Sequence, residues 1–172
     1  MKIPHLIVGV ILLGLTVGLV AQQPSRAVPA FDHFMYWSHA KLQALSGELQ
    51  SKEPTVAYGV KRMQAAEVLG NRQDFTCFVE RREAEPHWPE LHADWDDLVI
   101  VQEGSANLLH GGKIENGRDM GKGEIRDGKI LGGSSQKLGP GDTFYIPAGT
   151  PHQYFVDSGN HFYFLVVKVK KP

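Results

Sequence analysis

This sequence has little cysteine, little net charge and no phosphate-binding motif. Cys77 is the one cysteine in 172 residues, so the chain cannot form an internal disulfide and has to rely on its core. Cys77 lies in an apolar strand pattern and is predicted to be buried. The formal net charge of −1 gives no indication of a nucleic-acid partner. There are 19 glycines, but no glycine-rich stretch opens a helical pattern, which argues against a nucleotide-binding loop.

The longest apolar run lies at the N-terminus. Residues 6–20 are almost wholly apolar and follow Lys2, which is typical of a secretory signal peptide and short for a membrane span. We therefore predict a signal peptide over residues 1–21 and a mature start at Gln22, with Val28 as the alternative. The protein would then be exported, either periplasmic or secreted, with no stable membrane span after cleavage. An uncleaved membrane anchor is the competing interpretation.

The rest of the chain divides into three parts by composition and periodicity. Residues 22–36 are polar and predict a linker. Residues 37–74 predict an extension, in which 38–50 has leucines at helical spacing and 60–70 fits a short helix or a strand equally well. Residues 75–172 contain short apolar and β-branched segments between glycines and prolines. This pattern predicts an all-β antiparallel barrel or jelly roll.

Some elements of the third part can be placed individually. Residues 98–110 predict a hairpin that turns at a Glu-Gly pair. Residues 111–140 are glycine-rich and fit either a long loop or two weak strands around Ile125 and Ile130. The last strand, residues 161–169, is apolar on both faces in its first half.

Residues 141–152 carry the first candidate metal ligand. They begin with a Gly-Asp turn, continue as a short β-branched and aromatic strand, and bend at Pro147 and Gly149. His152 follows this rigid bend, which holds its imidazole in one direction, as suits a metal ligand. The spacing of the opening glycine, Pro147, Gly149 and His152 resembles the second conserved motif of the cupin superfamily, except that Val156 stands where the motif has asparagine.

The resemblance predicts a partner motif one hairpin upstream. Aligned on Gly104, the preceding segment places Glu90 and His92 at the motif's two histidine positions. The same alignment places Asp97 at the motif's glutamate position, and each of these side chains can bind a metal. Glu90 and His92 are two residues apart and therefore share a strand face. The motif thus implies a metal site made of these three side chains and His152.

Other interpretations stay open at this point. The acidic segment around His92 also fits a solvated surface loop. His87 is a rival metal ligand if a bend at Pro89 turns it inward. Tyr154 shares a strand face with His152 and is either a hydrogen-bond donor at the site or a core residue. His87 and Tyr154 are also the only candidates for a catalytic acid or base.

The resemblance implies a small single-domain cupin, in which residues 75–172 form a double-stranded β-helix (jelly-roll) barrel after a short N-terminal helical segment. Similar proteins include dioxygenases, isomerases, decarboxylases, lyases and binding proteins without catalysis. A metal-dependent enzyme acting on a small molecule and a non-catalytic module that binds a small ligand or a metal both remain possible.

The resemblance also implies a divalent cofactor and a homodimer. Two imidazoles and two carboxylates favour Mn(II) or Fe(II), with Zn(II) or Ni(II) as alternatives. The expected dimer contact is the apolar part of residues 162–167.

Overall fold

The computed structural model describes residues 29–52, 56–57, 60–61, 64–84 and 87–172. The predicted signal peptide and residues 22–28 of the predicted linker lie outside this part of the chain. Within it, no helix has both the length and the apolar character needed to cross a membrane.

One helix, α1, spans His39–Ser51 and is capped by Ser38, whose Oγ accepts a hydrogen bond from the N–H of Lys41 at 3.2 Å. The strands of the described residues are β1 (Val56–Ala57), β2 (Val60–Lys61), β3 (Gln64–Arg72), β4 (Phe75–Glu83), β5 (Glu90–His92), β6 (Trp95–Gly104), β7 (Ala106–His110), β8 (Lys113–Glu115), β9 (Arg118–Asp119), β10 (Glu124–Arg126), β11 (Lys129–Leu131), β12 (Ser134–Leu138), β13 (Thr143–Ile146), β14 (His152–Phe155) and β15 (His161–Lys170).

Two antiparallel sheets form the body of the fold. The five-stranded sheet has the order β13-β6-β15-β4-β3, and the six-stranded sheet has the order β12-β7-β14-β5-β10-β9. The remaining strands form the short pairs β11-β8 and β1-β2. Consecutive strands repeatedly change sheet, as expected for a jelly roll. The predicted all-β jelly-roll barrel with one short helix is confirmed.

The predicted hairpin over residues 98–110 is wrong. Strand β6 belongs to the five-stranded sheet, whereas β7 pairs with β12 and β14 in the other sheet. The physical reason lies at Gly104, which has φ +73°, a backbone conformation that favours glycine. A Cβ there would lie 1.9 Å from the carbonyl oxygen of His161, so only glycine fits where the chain leaves one sheet for the other.

Two segments for which the sequence left two alternatives open contain strands. The glycine-rich residues 111–140 contain β10 and β11, which include Ile125 and Ile130. Strand β3 pairs with β4, so the five-stranded sheet begins before residue 75. Phe31, within the predicted linker, packs edge-on against Phe75 with ring centroids 5.0 Å apart, so this part of the chain lies against the sheet.

The five-stranded sheet is buried on both faces. Toward the six-stranded sheet it contributes to a core of Val99, Val101, Ala106, Leu108, Leu138, Tyr154, Val156, Phe162, Phe164 and Val166. Toward α1 the second core consists of Leu45, Leu49, Ala65, Leu69, Cys77, Val79 and Tyr163. Cys77 is 5% exposed, which confirms its predicted burial, and burial raises the pKa of its thiol to about 11.

This double burial explains why β15 is apolar on both faces. Phe162 and Phe164 point into the barrel, while Tyr163 packs under α1 and donates its O–H to the carbonyl of Leu42 at 2.6 Å. The dimer contact expected at residues 162–167 is therefore wrong, because the chain itself covers this strand. The homodimer stays a prediction.

Candidate metal centre

A cavity of about 260 Å³ lies between the two sheets. Strands β4, β6 and β15 line it from one side and β5, β10 and β14 from the other. Its polar lining consists of Glu80, Arg82, Glu90, His92, Asp97, Glu124, Arg126, His152, Tyr154 and Lys168. The remaining lining is apolar and consists of Phe78, Val99, Phe164 and Val166.

Three of the predicted ligands converge in this cavity. Glu90, His92 and His152 each offer one ligand atom, and these atoms all lie within 4.8 Å of one another. All three side chains are buried. Glu90 and His92 share a face of β5, and β14 places His152 directly opposite Glu90. The structure thus brings together two short strands that are far apart in the sequence.

Both imidazoles are oriented by hydrogen bonds from Nδ1. His92 donates from Nδ1 to Glu124 Oε2 at 2.8 Å, and His152 donates from Nδ1 to the carbonyl of Thr150 at 3.0 Å. Nε2 of each ring therefore carries the lone pair that can bind a metal ion. Burial lowers the pKa of His152 to about 4, although Glu90 opposes this shift, so its ring is neutral at physiological pH.

Asp97, the fourth predicted ligand, lies beside this group. One of its carboxylate oxygens is 3.5 Å from His92 Nε2. The other is 2.7 Å from Lys168 Nζ, so Asp97 is ion-paired within the cavity. Among the described residues, the group whose ligand atoms all lie within 4.8 Å of one another contains Glu90, His92 and His152 but not Asp97.

Glu90 is held as an anion by arginines. Arg82 donates from Nη2 to Glu90 Oε1 at 2.8 Å, and Arg126 Nη2 lies 3.6 Å from the other carboxylate oxygen. Burial by itself would raise the pKa of Glu90, but the charges of Arg82 and Arg126 outweigh burial and hold this pKa well below its usual value. Glu90 is therefore ionised and able to bind a cation.

Arg82 is the most enclosed cation of the site. It is 3% exposed, donates from Nε to Glu80 at 2.6 Å and lies 4.6 Å from the ring centroid of Tyr154. Its Nη1 has no hydrogen-bond partner among the described residues. Burial opposes its charge, but Glu80 and Glu90 raise the pKa of Arg82 further above its ordinary value.

Five charged residues of the cavity escaped the sequence analysis: Glu80, Arg82, Glu124, Arg126 and Lys168. One signal was available in β4, where residues 78, 80 and 82 alternate with residues that face α1. A second signal was Glu-Ile-Arg at residues 124–126, because the two charged residues share a strand face. Their partners could not be inferred from the sequence, because β10 pairs with β5, a strand 32 residues earlier. This pairing sets Glu124 opposite His92 and Arg126 opposite Glu90.

The two candidates for catalytic acid or base lie in different places. Tyr154 lines the cavity, is buried and stacks on Phe164 at 5.4 Å. Burial raises the pKa of Tyr154 well above its usual value, despite the opposing charge of Arg82, so its phenol stays protonated. His87 is not among the described residues that line the cavity, and its Nε2 lies 3.0 Å from the backbone oxygen of Glu83.

The donor set fits a divalent metal ion. A carboxylate and two imidazoles are ligands of Mn(II), Fe(II), Ni(II) and Zn(II), and this group contains no thiolate that would select a softer ion. An ion held by these three ligands alone would have further coordination positions open.

Comparisons with known proteins bear on the fold. No protein-family model matches the sequence, and no curated protein matches it. A solved structure from Bacillus halodurans matches with a TM-score of 0.52 and 12% identity over 84% of this chain and 88% of that chain. The polyketide cyclase RemF from Streptomyces resistomycificus has a TM-score of 0.46 and 21% identity over 64% of this chain and 68% of its own.

KdgF from Halomonas sp. has a TM-score of 0.47 and 14% identity over 66% of this chain and 85% of its own. The solved structures similar to this chain include cupin-fold proteins. At these identities the likeness concerns the fold and not the activity. The two facing antiparallel sheets make a double-sheet jelly-roll barrel, the fold that the resemblance to the cupin superfamily predicted.

Proposed function

We propose that this protein binds a divalent metal ion through Glu90, His92 and His152 and holds a small molecule beside it. The observation that carries this proposal is the convergence of three buried ligand atoms within 4.8 Å of one another at a cavity.

The ligand types favour Mn(II) or Fe(II), with Ni(II) and Zn(II) as competitors, because a hard carboxylate joins two imidazoles. Asp97 is proposed as a fourth ligand, reaching the ion directly or through water. The oxygen of Asp97 that lies 3.5 Å from His92 Nε2 would face the ion, while the other oxygen lies 2.7 Å from Lys168 Nζ.

We further propose that the metal centre is catalytic, acting on a small molecule. The supporting observation is that three protein ligands leave positions open for substrate or water. A bound ion would supply Lewis-acid polarisation of a substrate oxygen and, for Fe or Mn, redox capacity. Glu124 would orient His92, Arg82 would fix Glu90, and Tyr154 with its aromatic neighbours would exclude water from one wall.

The alternative is a non-catalytic module that binds a small ligand or a metal. One observation favours it: the carboxylates that line the cavity are all engaged by Arg82, Arg126, Lys168 or His92, so no unengaged general base stands there among the described residues. Metal-dependent turnover in a screen of phenolic, keto-acid and sugar substrates would support the enzyme, and metal binding without turnover would support the module.

The metal proposal is tested by measuring bound metal under saturating Mn(II). His92→Ala and His152→Ala are each expected to lose stoichiometric Mn(II). His110→Ala is the matched control, because β7 places this half-buried histidine opposite His152 but outside the lining of the cavity. Full metal in both ligand variants would show that the site is wrong. Full metal in Asp97→Ala alone would leave a site with three protein ligands.

Export remains a separate proposal, supported by the apolar segment at residues 6–20. N-terminal sequencing of the protein from its native compartment should find Gln22 or Val28 as the first residue. An intact Met1 on membrane-associated protein would contradict the signal peptide and favour an anchor.

A further inference from the structure

The cavity is lined by three basic side chains that are not candidate metal ligands. Arg82, Arg126 and Lys168 all line it, and the last two side chains are each 14% exposed. Each of the three is paired with a carboxylate that a metal ion would also attract. Arg82 and Arg126 lie next to Glu90, and Lys168 lies 2.7 Å from Asp97.

The sign of the net charge in the cavity therefore depends on whether a metal ion is bound. Four carboxylates line it, Glu80, Glu90, Asp97 and Glu124, against three basic side chains. The carboxylates that line the cavity thus outnumber its basic side chains by one. A bound divalent ion turns that into one positive charge, and an enclosed net charge is costly unless an ion of opposite sign joins it.

Metal binding would also release donors. When Glu90 turns toward an ion, Arg126 loses its 3.6 Å contact with that carboxylate and keeps Glu124, which lies 2.6 Å from its Nη2. The negative charge that Asp97 shares with Lys168 would then be shared with the ion as well. Lys168 carries three N–H donors and Arg126 five, so both have capacity for a further acceptor. Arg82 Nη1, which has no hydrogen-bond partner among the described residues, is a third donor in the same cavity.

We propose that the metal-loaded cavity binds a small monocarboxylate with an apolar body, received by Arg126 and Lys168. This inference rests on the proposed metal site and adds the class of its ligand. A single negative charge matches the single positive charge of the loaded cavity. The apolar walls, formed by Phe78, Val99, Phe164 and Val166, suit a hydrocarbon or aromatic body better than a highly charged phosphate ester.

The test compares benzoate with benzamide, which has nearly the same shape but no charge. Both are titrated calorimetrically into Mn(II)-loaded and metal-free protein, and bound Mn(II) is measured separately. We expect benzoate to bind the loaded protein about tenfold more tightly than benzamide, as a charge-assisted hydrogen bond provides. In the metal-free protein this preference should be lost or reversed.

Two variants test whether Arg126 and Lys168 bind the carboxylate, and a third variant serves as the control. Lys168→Met and Arg126→Met, each compared at saturating Mn(II) with bound Mn(II) confirmed, should lose most of the tenfold preference. Lys170→Met, an exposed lysine on the same strand outside the cavity, should keep the preference. If either Lys168→Met or Arg126→Met does not fold, the other of these two variants decides the test.

The outcomes separate the two proposals. Bound Mn(II) with equal affinity for benzoate and benzamide overturns the carboxylate site and leaves the metal site standing. A preference of the same size in the metal-free protein also overturns it, because the charge reversal would then play no part. Failure to bind Mn(II) overturns the proposed function and this inference with it.

Discussion

The two faces of the five-stranded sheet bury different chemistry. Toward α1 the sheet packs Val79 and Tyr163 against leucines of the helix. Toward the barrel interior the same strands begin with aromatic residues and end with Glu80, Arg82 and Lys168 around the cavity. Successive residues of a strand point to opposite faces, so a single strand serves both environments.

Strand β4 shows what this difference means. Arg81 lies under α1 and donates to Ser46 at 3.0 Å, whereas its neighbour Arg82 lies in the cavity and donates to Glu90 at 2.8 Å. Both are buried arginines with carboxylate partners. We infer that the helix-facing side contributes stability alone, while the cavity side trades stability for the ability to bind an ion.

The largest expected effect comes from removing Arg82 and comparing the result with the removal of Arg81. Arg82→Met removes the cation that Glu80 and Glu90 share and leaves Glu90 with only Arg126, 3.6 Å away, which should lower the free energy of unfolding of metal-free protein by about 3–5 kcal/mol. Mn(II) would replace the lost charge at Glu90, so the loss should be smaller in the loaded protein. Urea unfolding with and without Mn(II) measures the difference.

Arg81→Met is the matched control, since it removes a buried arginine from the same strand on the other face. Its cost should be the same with and without Mn(II). If Arg82→Met also costs the same in both states, then the charge on Glu90 is not shared between arginine and metal.

The next effect concerns the core under the helix. Leu49 is 2% exposed, and Leu49→Ala should lower the free energy of unfolding by about 3 kcal/mol through lost burial and the remaining cavity. Bound Mn(II) should be unchanged at saturation. Leu131→Ala, at a position 41% exposed, is the control and should change stability by less than about 0.5 kcal/mol. Loss of metal in the Leu49 variant would mean that the two faces are not independent.

A smaller effect is expected from the residue that orients His92. Glu124→Gln weakens the charge-assisted hydrogen bond to His92 Nδ1, which is 2.8 Å long, and should lower Mn(II) affinity about 10- to 100-fold. Competition with a fluorescent chelator measures this affinity. Glu115→Gln changes an exposed glutamate outside the cavity and should leave affinity unchanged. An unaltered affinity in Glu124→Gln would show that this hydrogen bond does not prepare the ligand.

The smallest effect is expected at the helix cap. Ser38→Ala removes the side-chain acceptor for the N–H of Lys41 and should cost about 1 kcal/mol of stability. Ser134→Ala, at an exposed strand position, should be nearly neutral. A change in Mn(II) affinity in Ser38→Ala would contradict the separation between the helix-facing side and the site.

The turn-rich strand pattern predicted the fold, and the resemblance to two cupin motifs predicted the centre of the site, with local patterns in agreement. Alternating residues in β5 place Glu90 and His92 on one face, and the Pro-Gly bend before β14 aims His152. These three side chains do lie together, although their binding of a metal stays a prediction.

The rest of the cavity depends on how distant strands pair, which local patterns do not reveal. Arg82, Arg126 and Lys168 come from three strands in two sheets. The hairpin predicted across Gly104 failed for the same reason. A Glu-Gly turn signal shows that the chain changes direction, but not that the next strand joins a different sheet.

The most direct test of the central claim is anomalous X-ray diffraction from crystals of the Mn(II)-loaded protein, collected on both sides of the manganese edge. We expect one strong anomalous peak bounded by Glu90, His92 and His152. Stoichiometric Mn(II) in the protein with no peak at these three side chains, or with its peak elsewhere, would contradict the account.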